Sequence, residues 1–148
     1  MLLRAVTLFL LLGSASLFAE EPQWHTTLDA AIAEAEASGK PILMEVNGRP
    51  WCPPCVDQHT NILSKPAFAA WAREHVVLLD IKVGDGYDRE IGHPDWRAMM
   101  QRYGLQGIPS IVFIDTEEQP LGAMTPIKEI DAWIAKADQI LGDSIKPE

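Results

Sequence analysis

The sequence predicts an α/β domain, a central mixed sheet of about four strands flanked by helices, and three observations carry that prediction. Short apolar runs at 42–46, 76–82 and 110–115 are too brief for core helices and are mostly bounded by Pro, Gly or Asn. Segments with helical spacing alternate with these runs. Near the C-terminus two strand-like runs precede one long apolar stripe, so the expected element order is α β α β α β β α.

Each element has its own signals. Thr26-Thr27 reads as an N-cap ahead of Leu28, Ala31, Ile32 and Ala35, and Gly39 with Pro41 stops that helix, placing it at about 28–38. Ile42-Leu43-Met44-Glu45-Val46 reads as a buried strand closed by the turn cluster Asn47-Gly48-Arg49-Pro50. A helix follows at 54–63, with Pro54 in its first turn, where a missing N–H costs little. Ser64-Lys65-Pro66 interrupts it, and a helix resumes from Ala67 to His75, burying Phe68 and Trp71. The β-branched run at 76–82 is a second buried strand, and the polar stretch Gly84 to Pro94 loops out. Asp95 to Tyr103 has Trp96, Met99, Met100 and Tyr103 on one side of a helix. Ser110 to Asp115 is a strand, with Leu121 to Met124 as its hairpin partner. The last helix is expected to begin with Thr125 as N-cap and Pro126 at its first position, carrying an apolar stripe of Ile127, Ile130, Trp133, Ile134, Ala137 and Leu141.

The first residues have the layout of a secretory signal peptide. Arg4 precedes the apolar run Ala5 to Leu12, small residues follow at 13–16, and Ala19 stands before Glu20-Glu21. That run falls short of the roughly 18 to 20 residues that span a bilayer. The expected organisation is a signal peptide at 1–19 and one domain at 20–148, exported across the inner membrane of a bacterium to the periplasm. With Lys+Arg 12 against Asp+Glu 21 the net charge is −9, which argues against nucleic acid or an anionic membrane as partner. A hydrophobic content of 47% is enough for one core.

Chemistry concentrates in Trp51-Cys52-Pro53-Pro54-Cys55, which holds both cysteines of the chain. A helix that starts at Cys52 turns unsatisfied N–H groups and its positive end toward that sulfur, favouring the thiolate. Cys52 is then the candidate nucleophile, and Cys55, one turn deeper, can resolve a mixed disulfide. An inert disulfide and half of a metal site are the alternatives; two cysteines do not complete an all-cysteine zinc site. Neither Pro53 nor Pro54 can donate an N–H to Cys52, which leaves the Cys55 N–H as nearest donor and predicts a potential toward the reducing end. Arg49 would oppose that if it brought a cation to Cys52.

These residues, together with Tyr103-Gly104-Leu105-Gln106-Gly107-Ile108-Pro109 before a strand, the hairpin and the closing helix, resemble the thioredoxin superfamily over about residues 24–142, and within it the exported thioredoxin-like proteins. The resemblance implies a thioredoxin-like fold and thiol:disulfide oxidoreductase activity, with Cys52 and Cys55 as a redox-active disulfide in its oxidised form. It implies a cis peptide at Ile108–Pro109, a substrate chain paired with the Ile108 backbone, and Trp51 as an apolar shield for the sulfurs. No cofactor is expected, and the chain is expected to be a monomer. Partners would be disulfide-containing or dithiol proteins, with a membrane thiol reductase supplying electrons.

Glu45 is an acid inside an apolar strand. Burial would raise its pKa and suit it to proton transfer near Cys55, whereas a side chain that reached solvent would be an ordinary carboxylate. His59, four residues after Cys55, admits a second class of function, a metal-binding chaperone using Cys52, Cys55 and His59, or a redox-inert adaptor. No metal site is assigned. Asp80, Asp85 and Asp88 lack the ligand order of a calcium loop, and His25, His75 and His93 have no ligand spacing.

Overall fold

The computed structural model describes residues 21–84 and 96–144. The expected signal peptide at 1–19, Asp85, Asp88, His93 and most of the polar loop lie outside those residues. The elements run β1 (Trp24–His25), α1 (Leu28–Ser38), β2 (Ile42–Asn47), α2 (Pro53–Gln58), a π turn (His59–Leu63), α3 (Pro66–His75), β3 (Val77–Lys82), α4 (Trp96–Arg102), β4 (Ser110–Ile114), β5 (Pro120–Met124) and α5 (Ile130–Ser144). The sheet is mixed, in the order β1-β3-β2-β4-β5, with β2 parallel to β3 and antiparallel to β4. It has five strands because Trp24 and His25 add a two-residue parallel edge to β3. So short a pairing carries no periodicity for the sequence to display.

Local signals account for most boundaries. The Thr27 hydroxyl accepts a bond from Ala30 N–H at the head of α1, and Gly39 closes it at φ 71°, the left-handed conformation that favours glycine. The helix expected at 54–63 begins one residue earlier and passes into the π turn, where Ser64 N–H bonds to His59 O at 2.9 Å. The expected start of the last helix is corrected. Thr125 to Lys128 belong to no helix or strand, and the first helical bond runs from Trp133 N–H to Glu129 O, so Thr125 and Pro126 do not stand at the start of the helix. A Thr-Pro pair fits a helix start but does not compel one when the chain first has to travel from the β5 edge to the helix layer.

Strand alternation sends two sets of side chains to opposite faces. Ile42, Met44 and Val46 pack with α1 and α4 through Ala31, Ala35 and Met99. On the other face Leu43, Leu78, Ile111 and Phe113 meet Phe68, Trp71 and Trp133 from α3 and α5. Phe68 and Trp133 sit edge to face at 5.3 Å, as do Trp71 and Trp133. Glu45 and Asn47 continue the Leu43 side of β2, so this second face turns polar toward the C-terminal end of the strand, under α2.

Candidate active site

The site is built at the end of β2, where the turn 48–51 delivers the chain into α2. Cys52 is the N-cap of α2, and Pro53 and Pro54 form its first turn, where two missing N–H groups leave no intrahelical bond unmade. Cys52 and Cys55 are joined in a disulfide with their Cα atoms 5.3 Å apart. The only N–H of the first turn that bonds to Cys52 Sγ is that of Cys55, at 3.3 Å. Cys55 is fully buried and its Sγ accepts a bond from Gly48 N–H at 3.3 Å, while Cys52 keeps a small exposed edge.

Gly48 binds both cysteines, because its carbonyl also accepts from Cys52 N–H at 2.9 Å. A Cβ at this position would run into the Trp51 indole and the Ile108 side chain, so glycine is required by the close approach of those two groups rather than by its dihedrals. Trp51 is not a core residue. It is 43% exposed, with its indole N–H donating to Val83 O at 3.1 Å. Val56 at 39% is the other large apolar side chain left exposed among the described residues, and it stands on the first turn of α2. Opposite this lip the Ile108–Pro109 peptide is cis, with Pro109 buried and Ile108 half-buried. An open groove of about 430 Å³ runs along Gly104 to Ser110 and Met124 to Pro126 beside it.

Beneath α2 lies a cluster that the sequence does not announce. Glu45 is wholly buried, which removes the alternative of a carboxylate reaching solvent. Gln58 Nε2 donates to Glu45 Oε1 at 3.3 Å, and Arg49 Nη2 donates to Glu45 Oε2 at 3.1 Å. Burial drives the Glu45 carboxyl up to about 7, against the opposing pull of Arg49. The Arg49 side chain turns inward to this carboxylate. It also donates through Nη2 to Asp80 Oδ2 at 3.4 Å, through Nε to Asn47 Oδ1 at 3.0 Å, and through Nη1 to His59 Nδ1 at 2.6 Å. The cation expected to oppose a reducing potential at Cys52 is thus bonded to Glu45, Asp80, Asn47 and His59.

His59 is half-buried and bound by Arg49, and burial followed by that guanidinium lowers its pKa. Among the described residues no group of three or more His, Cys, Asp and Glu is placed to hold a metal, and Cys52, Cys55 and His59 do not form one. Asp80 stands beside Glu45 in the β2–β3 register, and Lys82 beside Asn47. No buried side-chain nitrogen or oxygen among the described residues lacks a hydrogen-bond partner. Asp80, Arg49 and Gln58 enter the cluster through strand register and helix packing, so only the lone acid in β2 could have pointed to it. A second cis peptide, Arg49–Pro50, lies in the same turn and has no sequence signal beyond the proline itself.

Comparison with known proteins follows the same lines. A thioredoxin-like family model matches residues 23–116. The chain is 31% identical over 105 residues to thiol:disulfide interchange protein DsbD 1 of Pseudomonas aeruginosa, covering 71% of this chain and 16% of that protein. It is 25% identical over 103 residues to the disulfide bond reductase DsbH of Chlamydia pneumoniae, covering 69% and 61% respectively. It therefore spans about a sixth of the first relative's length and under two thirds of the second's. A solved DsbH oxidoreductase superposes with a TM-score of 0.73 at 23% identity, over 92% of this chain and 95% of that one. A thioredoxin from Thermus thermophilus superposes at 0.67 and 19% identity, over 84% and 91%. No helix among the described residues is long and apolar enough to cross a membrane. With a matched model over most of its length and a Cys52–Cys55 pair at the head of α2, the chain belongs to the thioredoxin-like family, beside thiol:disulfide oxidoreductases of the DsbD and DsbH kind.

Proposed function

We propose that this protein is an exported thiol:disulfide oxidoreductase that works as a disulfide reductase on proteins outside the inner membrane. The observation that carries the reading is the Cys52–Cys55 pair itself, with Cys52 at a helix N-terminus, Cys55 buried behind it, and the exposed Trp51 next to it in the chain. In the reduced protein the Cys52 thiolate attacks one sulfur of a client disulfide, a mixed disulfide forms, and the other client sulfur leaves and takes a proton. Cys55 then loses its proton and attacks Cys52 Sγ. The Cys52–Cys55 disulfide closes and the second client thiol departs, so two electrons have passed from the protein to the client.

Glu45 is proposed as the group that receives the Cys55 proton. A carboxyl held near 7 is ionised in part at neutral pH and still basic enough to accept a proton. Trp51 and Val56 would cover the apolar flanks of a client cysteine, and the Ile108 backbone would pair with the client chain, reading main chain rather than sequence. The reducing direction is supported by the donors around Cys52, because with two prolines in the first turn only Cys55 N–H stabilises the thiolate. Re-reduction requires a dithiol donor, and a membrane thiol reductase is proposed in that role, in keeping with similarity to relatives named as thiol:disulfide interchange proteins. Residues 1–19 are proposed as the signal for export.

The test is the equilibrium potential of the Cys52–Cys55 couple, measured by titration against defined thiol/disulfide buffers with thiol trapping. A value near about −270 mV is expected, whereas one near about −120 mV would keep the enzyme and reverse its direction. In the same protein Cys55→Ser should accumulate a mixed disulfide with client, and Cys52→Ser should form none. A pair that never closes reversibly, combined with stoichiometric metal retention, would replace this reading with the chaperone.

A further inference from the structure

Two acids and two cations meet under α2, and they are not interchangeable. Lys82 Nζ binds Asp80 Oδ2 at 3.1 Å and Asn47 Oδ1 at 3.3 Å, and no bond joins it to Glu45. Asp80 is further held by Asn47 Nδ2 at 2.6 Å. Arg49 is the one cation bonded to Glu45, and it forks, because the same Nη2 also reaches Asp80. Its other nitrogens are fixed by Asn47 and His59, so the guanidinium is held from β2, β3 and the π turn at once. The His59 bond requires an unprotonated Nδ1, and the lowered pKa of that ring keeps it so. Besides Arg49, Glu45 is bonded by Gln58 from α2, feels the charges of Asp80 and Lys82 from β3, and pairs with the apolar Ile111 on β4.

We propose that Arg49 is a positioning residue for the redox reaction, orienting the Glu45 carboxyl beneath α2 and holding it in a form able to take the Cys55 proton. The proposal rests on the oxidoreductase reading given above. A purely structural ion pair explains the arrangement poorly, since Glu45 is wholly buried while Arg49, Asp80 and Lys82 are only partly so, and burying a carboxylate against such partners gives little net stability over apolar packing. Its position argues instead for a role at the sulfurs. Arg49 follows directly on Gly48, whose N–H binds Cys55 Sγ, and Gln58, three residues beyond Cys55, binds the other Glu45 oxygen. The turn that supports the resolving sulfur and the turn that sets the acid are thus one piece of chain. Loss of the guanidinium leaves Glu45 beside Asp80 without a bonded cation, so its carboxylate forms only at higher pH and the resolving step slows at neutral pH.

The experiment follows the Glu45 carboxyl by carbon-13 NMR titration and, in parallel, the pH dependence of disulfide reduction, in wild type, Arg49→Met, Arg49→Lys and the Glu45→Gln/Arg49→Met pair. Arg49→Met should raise the Glu45 midpoint by about one unit or more, with the rate profile moving the same way. Arg49→Lys should fall between, because an ammonium keeps the charge but not the fork. In the Glu45→Gln background, Arg49→Met should leave the profile where Glu45→Gln alone puts it. An unmoved Glu45 midpoint, an unmoved rate profile with only lower stability, or an equal shift in the Glu45→Gln background would each overturn the proposal. If Arg49→Met does not fold, an Arg49→Lys midpoint identical to wild type overturns it. Wild type that reduces no disulfide would sink the oxidoreductase reading and this proposal with it, whereas normal turnover with an indifferent Arg49 sinks the proposal alone.

Discussion

Two layers of one sheet face sit a few ångströms apart along the same strands and obey opposite rules. At Leu43, Leu78 and Phe113 the strands meet a dry aromatic cluster of Phe68, Trp71 and Trp133. One step along, Glu45 and Asp80 replace the aliphatic pair, and Asn47 and Lys82 follow. Burial stabilises the first layer at roughly 25 cal/mol per Å² of apolar surface, while in the second it opposes folding until every charge is bonded. The polar layer is confined to the ends of β2 and β3 that lie under the cysteines. Among the described residues the fold thus tolerates unfavourable burial next to the sulfurs, and the aromatic layer supplies the stability that makes this possible.

Removing a ring from the dry layer should break the comparison on its stability side. Phe113→Ala is expected to lower unfolding free energy by about 3–5 kcal/mol in urea denaturation, with the potential of the cysteine pair unchanged in the molecules that stay folded. A shift in potential would mean that the two layers are not separable.

The polar layer should show itself through pH. The Glu45 carboxyl is raised from 4.5 to about 7, so the folded chain holds this proton more tightly than the unfolded chain does. Its contribution to stability is whole below about pH 4.5 and is lost as pH rises through 7, a change on the order of 3 kcal/mol. Glu45→Gln should flatten that segment of the stability curve measured by denaturant titration at stepped pH. An unchanged slope would mean that another group titrates there. Smallest is Gly48→Ala, at the boundary between turn and sulfurs. Crowding against Trp51 and Ile108 should cost about 1–3 kcal/mol and change the Trp51 fluorescence, with the dry layer's near-ultraviolet circular dichroism preserved.

How far the sequence discloses these layers depends on the range of the interaction that makes each residue matter. Cys52-Pro53-Pro54-Cys55 is legible because the helix start, the missing N–H groups and the sulfur spacing are all local. The alternation of Leu43, Glu45 and Asn47 with Ile42, Met44 and Val46 is a two-residue period, readable once the strand is accepted. The Thr27 cap and Gly39 stop fall where they were expected for the same reason. Arg49, Asp80 and His59 are different, because the register Glu45↔Asp80 and the path of the 48–51 turn are tertiary facts. Nothing near residue 80 in the chain marks it as a neighbour of residue 45. The late start of α5 and the two-residue β1 belong to this class too, each set by where the chain must arrive rather than by its local composition.

The π turn His59–Leu63 has a consequence for descent. Its Ser64-to-His59 bond spans one residue more than an α-helical bond, so the turn stores a spare residue in a path that could close without it. Thr60 and Asn61 in that turn are exposed and carry no part of the cluster, while His59 at its head faces Arg49. Relatives can therefore differ in length by one at this point, losing or gaining a residue at 60 or 61 while the histidine and the sulfurs before it keep their places. Gaps in an alignment of homologues should gather there, and the segment from Cys52 to His59 should be inherited as one uninterrupted block.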